Sequence, residues 1–247
     1  MSSLAFAPLT PAVKRLLILT VGLWVVVQII LDKFMGFHGW RVLVLTPQMV
    51  IEKFYLWQLL TYAFFHAISP FHLLFNMLML WFFGSELERK WGSKFFTWYY
   101  LGSAVGAAII YCLGVAIYAA STGYKPILVT PVLGASGGLF GLLLAYGIIF
   151  AEREIYFMGV FPLKAKYFVM IAGAMDLASL VGTGFAGGEV AYLAHLGGIA
   201  SGFIILRSVS YYKTQQTATK SRKKASNLRL VVDNEKKKDE NNPKYWN

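Results

Sequence analysis

Cysteine is nearly absent from this chain, and acidic residues are scarce: one Cys and 12 Asp/Glu in 247 residues. The single cysteine, Cys112, excludes an internal disulfide. Set in an apolar run, it reads as a small packing residue. No Cys/His cluster has metal-ligand spacing, so no metal and no other cofactor is expected. Charged residues make up 14% of the chain, against about 25% in soluble domains. That deficit makes lipid, not water, the main solvent. No basic residue precedes Lys14, and Asp32–Lys33–Phe34 is a poor small-residue cleavage site. The first apolar run is therefore expected to persist as a helix and not to be removed as a signal peptide.

What fills the chain is apolar: 57% of residues are hydrophobic. A helix needs about 20 apolar residues to cross a bilayer core. Stretches 14–31, 71–87, 95–120, 132–151, 166–182 and 190–208 meet or approach that length. The expected fold is all-α, a polytopic membrane bundle of six transmembrane helices spanning residues 1–208. Residues 209–247 form a basic tail, expected to be disordered from Tyr211 onward because it has too little apolar area to fold. From Arg207 on there are 11 Lys/Arg and 4 Asp/Glu, so most of the net +11 sits there. The charge thus points away from nucleic acid. It suits anionic lipid heads, or it serves only to fix topology.

Lys and Arg stay on the cytoplasmic side. With the N-terminus inside, 19 of the 23 fall inside, against 4 outside at Lys33, Arg41, Lys53 and Lys125. Both termini are expected to be cytoplasmic. The connection from Asp32 to Pro70 is long and aromatic. It is expected to lie in the outer interface, with Tyr55 and Trp57 at headgroup level.

This orientation brings polar residues together. His72 and Asn76 open span two, Ser136 opens span four, and His195 lies in the first turns of span six. All three spans run outside to inside, so these four side chains share one depth. His72 and Asn76, four apart, stack on one helical face. Singly, a serine can bond to its own helix, and a histidine or asparagine can glue helices. Together they favour a shared site. Gly134, Gly137, Gly138 and Gly141 strip side chains from span four, and Gly198 and Gly202 from span six. Such spacing lets backbones approach closely, which a nucleophile and its base require. Gly102 and Gly106 are read as plain packing.

Gly134–Ala135–Ser136–Gly137 resembles the GxSG motif of rhomboid intramembrane serine proteases. Ala194–His195–x–x–Gly198–x–x–x–Gly202 resembles their last-helix motif, His72–x–x–x–Asn76 their second-helix motif, and Glu88 to Gly92 the turn that follows. The resemblance covers about residues 50–206. It implies cleavage of membrane-anchored protein substrates near the outer face of the bilayer. Ser136 would be the nucleophile and His195 the general base and later acid. His72, Asn76 and the backbone N–H groups of Ser136 and Ala135 would bind the oxyanion, and Phe140 would pack on the imidazole. Span five would be a gate beside span two. The implied location is a bacterial inner (plasma) membrane, with lipids and transmembrane substrates as partners.

Two departures stand out. Trp57–Gln58 replaces the family's frequent Trp–Arg, which puts the rigidity of that loop in question, and Pro70 just before His72 could shift the helix start. Asp176 in span five could be a third triad member, but a structural or cavity-facing role is preferred because the family works with a dyad. His66 reads as a packing or interface residue. A substrate helix has its amides tied up internally, so substrates with Gly, Pro or small residues near their outer end are expected. Two other classes stay open. A non-catalytic relative that binds membrane proteins would have no need of both Ser136 and His195. A transporter would need polar groups through the full depth, whereas these cluster at one.

Overall fold

The computed structural model describes residues 8–157, 161–183 and 191–226. Helix α1 (Pro11–Leu23) starts with proline in its first turn, where a missing N–H costs nothing, and continues as a π-helical stretch, Trp24–Phe34. Short helices α2 (Pro47–Lys53) and α3 (Gln58–Thr61) lie in the following connection. Helix α4 (Pro70–Met79) passes through π-helical Leu80–Gly84 into α5 (Ser85–Trp91). Pro70 occupies the first turn of α4, so it begins the helix that carries His72. Then come α6 (Ser93–Thr122), α7 (Ser136–Ile149), α8 (Ala165–Thr183) and α9 (Ala191–Ser226). Between α7 and α8 a hairpin pairs β1 (Glu154–Phe157) with β2 (Phe161–Lys164), antiparallel, with Glu154 opposite Lys164. Packing separates a unit Met1–Arg207 from a unit Ser208–Asn247.

The long elements make an all-α membrane bundle. Among the described residues, four helices have span length and apolarity: Pro11–Phe34, Ser93–Thr122, Ala165–Gly182 and Tyr192–Gln216. The other two expected spans differ for physical reasons. The α4–α5 run carries Glu86, Glu88, Arg89 and Lys90 in its last turns. Helix α7 begins four residues later than expected and has 14 residues, about 21 Å of rise against a core of about 30 Å. The backbone leading to Ser136 is thus irregular, and within a bilayer such backbone must be buried in protein or line a wet cavity. Helix α9 continues past Tyr211 to Ser226. Lys, Arg, Gln and Ala dominate there, with no Gly or Pro to stop α9. The remainder of the tail lies outside the described residues.

Helix α7 is central. Gly137, Leu139, Leu142, Ala145 and Tyr146 are buried on all its faces, as a helix without a polar side should be. Between membrane helices there is no hydrophobic drive, so close packing and hydrogen bonds hold them. The Tyr99 hydroxyl donates to the Gly141 carbonyl at 2.9 Å, and Ser201 Oγ to the Ser103 carbonyl at 3.0 Å. At Gly198 a Cβ would overlap the Gly137 carbonyl oxygen, so only glycine permits this crossing of α9 on α7. Gly106 meets Ser201 in the same way, a packing contact of α6 with α9.

Glu88 ties three segments together. Its carboxylate accepts from Thr10 Oγ1, from the backbone N–H of Ala12 (2.9 Å) and Val13 (3.0 Å), and from Ser93 Oγ (2.5 Å). It thereby caps the positive end of α1 and pins the start of α6. Burial opposes its charge, but the donors Ser93, Thr10, Ala12 and Val13 outweigh burial and hold the carboxyl below the usual carboxylate range.

The connection 32–70 is packed, not loose. Leu45, Tyr62 and Ala63 are buried against Ala104 and Tyr111 of α6, while Phe54, Leu56 and Trp57 face outward. Gln58, buried, accepts from the Thr46 N–H and donates to the Val42 carbonyl, each at 3.0 Å. A neutral amide here supplies both a donor and an acceptor, so the loop is clamped without the family's arginine.

Candidate active site

The segment 132–135 is held by the connection 32–70. Leu45 and Val132 exchange backbone hydrogen bonds at 3.0 and 2.8 Å, and the Gly134 N–H donates to the Tyr62 carbonyl at 3.1 Å. Gly134 has φ +132°, a conformation L side chains rarely adopt. A Cβ on it would sit 3.3 Å from His72 Nε2 and 3.7 Å from Ser136 Oγ. Its bareness therefore leaves a corner open between His72 and the serine.

Ser136 is the first residue of α7, and no side chain caps that end at Ala135. The leading N–H groups of a helix have no partner within it and carry partial positive charge. Close approach of α9 puts His195 Nε2 2.8 Å from Ser136 Oγ. Phe140, one turn past the serine, stacks on the His195 ring at 4.3 Å and 10°. Tyr192 meets the same ring edge-on at 6.5 Å. Ser136, His72 and His195 are partly exposed.

The Ala67 N–H donates to His72 Nδ1 at 3.3 Å. In neutral imidazole one nitrogen accepts and the other carries the hydrogen. The proton of His72 therefore resides on Nε2, facing the open corner. Asn76 is buried, and its Nδ2 donates to the His72 carbonyl at 2.7 Å. That nitrogen has two hydrogens, so one remains for another acceptor. The Ala135 N–H is already used: it donates to His66 Nε2 at 3.3 Å. Of the backbone donors expected at the oxyanion, the Ser136 N–H is the one at the open helix end.

Three residues have contacts that the sequence left open or did not mark. His66 is fully buried beneath the serine loop. Burial first, then neighbouring His72, pushes its titration down to about 3, so it is neutral and can accept from Ala135. Gln28 of the first span grips the His66 backbone with both ends of its amide, at 2.5 and 3.0 Å. A buried glutamine in an apolar run was the available signal, since a polar group in lipid needs a partner. Asp176, read from sequence as structural or cavity-facing, has its Oδ2 3.1 Å from His195 Nδ1.

Fold and site together define a class: a polytopic helical membrane protein with a serine and an imidazole paired at a helix crossing. Comparison with known proteins gives the family. The Rhomboid domain matches residues 53–212, and the chain belongs to the rhomboid family. It is 32% identical over 172 residues to Rhomboid protein 1, mitochondrial, of Saccharomyces cerevisiae, covering 67% of this chain and 45% of that protein. It is 30% identical over 168 residues to RHOMBOID-like protein 1 of Arabidopsis thaliana (65% and 36%). To Rhomboid protease GluP of Bacillus subtilis it is 31% identical over 147 residues (60% and 25%). The chain spans less than half the length of these curated relatives. Family membership and the apolar spans make it an integral membrane protein.

Proposed function

We propose that this chain is an intramembrane serine endopeptidase that cleaves membrane-anchored protein substrates near the outer face of the bilayer. The observation that carries the reading is the 2.8 Å contact between Ser136 Oγ and His195 Nε2. A bare imidazole nitrogen takes the serine proton as Oγ attacks the substrate carbonyl carbon. The negative charge that develops on the carbonyl oxygen is met in the corner beside Gly134 by His72 Nε2–H, the Ser136 N–H and Asn76. The C–N bond then breaks, and His195 returns the proton to the departing amine. Water, activated by the same imidazole, hydrolyses the serine ester and frees the new carboxyl end.

We assign both termini to the cytoplasmic side and the site to the outer side, because Lys and Arg concentrate in the segments assigned inside; the bacterial inner membrane rests on the family resemblance alone. Lipids surround the spans, and the substrates are transmembrane proteins whose helix unwinds near the pocket. The test is cleavage of a membrane-anchored reporter by purified protein, with fragments identified by mass. Wild type should cut and Ser136→Ala should not; equal cutting by both refutes the assignment. A non-catalytic relative that binds membrane proteins would instead fail to react with a fluorophosphonate at Ser136.

A further inference from the structure

Helix α8 is apolar and mostly faces outward, with Met175 65% and Leu177 52% exposed. Asp176 between them is only 9% exposed, so its side chain turns inward. An ionisable group at this depth is costly without a partner, and the partner is the imidazole: Asp176 Oδ2 lies 3.1 Å from His195 Nδ1. The other ring nitrogen is 2.8 Å from Ser136 Oγ, and Phe140 is stacked on the ring. The imidazole is thus held at both nitrogens and on one face.

The two contacts cannot be exchanged. A carboxylate only accepts, so Nδ1 must carry the hydrogen. Nε2 is then left bare toward the serine hydroxyl, which is the state a general base needs. The other titratable groups around the ring are His72, across the serine from α4, and Tyr192, one turn back on α9.

We propose that Asp176 is a positioning residue for His195, fixing its Nδ1–H tautomer and stabilising the imidazolium formed when Nε2 takes the Ser136 proton. The inference rests on the protease reading above. The proton moves from Oγ to Nε2, the Nδ1 hydrogen stays on nitrogen, and Asp176 remains a carboxylate throughout. The bond also links α8 to the catalytic pair, so the correct tautomer depends on α8 being docked.

The test compares Asp176→Asn, Asp176→Ala and Asp176→Glu with wild type, on the full chain in liposomes with a membrane-anchored reporter. Expected is a fall in kcat of about 10²-fold or more for Asn and Ala with KM within about threefold, and partial recovery with Glu. A merely structural aspartate would move KM and thermal stability alongside kcat, and Asn would substitute for it well. The second measurement is ¹⁵N NMR of histidine-labelled protein, with His195→Gln assigning the signal. Wild type should show Nδ1–H at His195, and Asp176→Asn a mixture of tautomers. Rates within twofold of wild type, or a His195 tautomer indifferent to Asp176, overturn the proposal. Should wild type cleave nothing, the protease reading fails separately. The tautomer comparison, made in Ser136→Ala protein as well, still decides whether Asp176 governs the ring.

Discussion

Gly198→Ala adds one methyl group at the crossing that makes the site. The new Cβ would overlap the Gly137 carbonyl oxygen and stand 2.9 Å from its carbon, whereas real Cβ contacts essentially never fall below 3.0 Å. Neither neighbour can yield by rotating a side chain, because both are backbone. Helix α9 must therefore back away from α7 by about 1 Å, a displacement that in a catalytic site costs about 10²-fold in rate. His195 lies on α9 one turn before Gly198, so its 2.8 Å contact with Ser136 would stretch beyond hydrogen-bond range. The assay is kcat for a membrane-anchored reporter, alongside thermal unfolding in detergent. Gly22→Ala is the control, since nothing lies within 4 Å of a Cβ there. Expected are a loss of about 10²-fold for Gly198→Ala and none for Gly22→Ala. A Gly198→Ala protein with more than half the wild-type kcat would refute the argument that backbone contact sets the Ser–His distance.

Three further perturbations follow from particular contacts. Glu88→Gln keeps one acceptor oxygen but loses the charge opposite the α1 N-terminus, and should destabilise by about 1.5–3 kcal/mol at pH 7. Because the folded carboxyl titrates below the unfolded value of 4.5, this stabilisation is complete above about pH 4.5 and vanishes as pH falls through the folded value, so unfolding curves of wild type and Glu88→Gln should converge in acid. Gln28→Leu leaves the buried His66 N–H and carbonyl unpaired, each costing about 1–3 kcal/mol, and should loosen the serine loop in hydrogen exchange; unchanged protection at Ala135 would count against this linkage. Phe140→Ala removes the ring stacked on His195 and should lower kcat by about tenfold with little change in KM, measured on the same reporter; an unchanged kcat would mean the stacking does not restrain the imidazole.

The sequence made legible whatever depends on contrast with lipid. Long apolar runs mark α1, α6, α8 and α9, and Ser136 and His195 stand out because a polar group in such a run needs a reason. What escaped depends on contacts between distant segments. His66 sits in a loop where histidine is ordinary, and only the fold sets it under Ala135. Asp176 was visible and a triad place was open to it, but the sequence could not choose between that and a structural place, because its partner is 19 positions away on another helix. The hairpin β1–β2 offers only four residues per strand, too few for an alternation to show. The short α7 was overestimated because Val132 and Leu133 are as apolar as a helix, while the pairing of Val132 with Leu45 holds that backbone extended.

Two imidazoles flank Ser136, and the proposed hydrolysis would ask opposite things of them. His195 must present a bare nitrogen to take a proton; His72 must present N–H to a developing negative oxygen. Histidine alone specifies neither, since its two tautomers are close in energy. The fold decides by what it sets against the far nitrogen of each ring. A donor, the Ala67 N–H, faces His72 Nδ1 and sends that ring's hydrogen to Nε2. An acceptor, Asp176, faces His195 Nδ1 and keeps the hydrogen there. Exchanging the character of either partner would leave every distance around the serine intact and the site unable to work. The division of labour at this serine is therefore set one contact away from it, by a loop amide on one side and a carboxylate of α8 on the other.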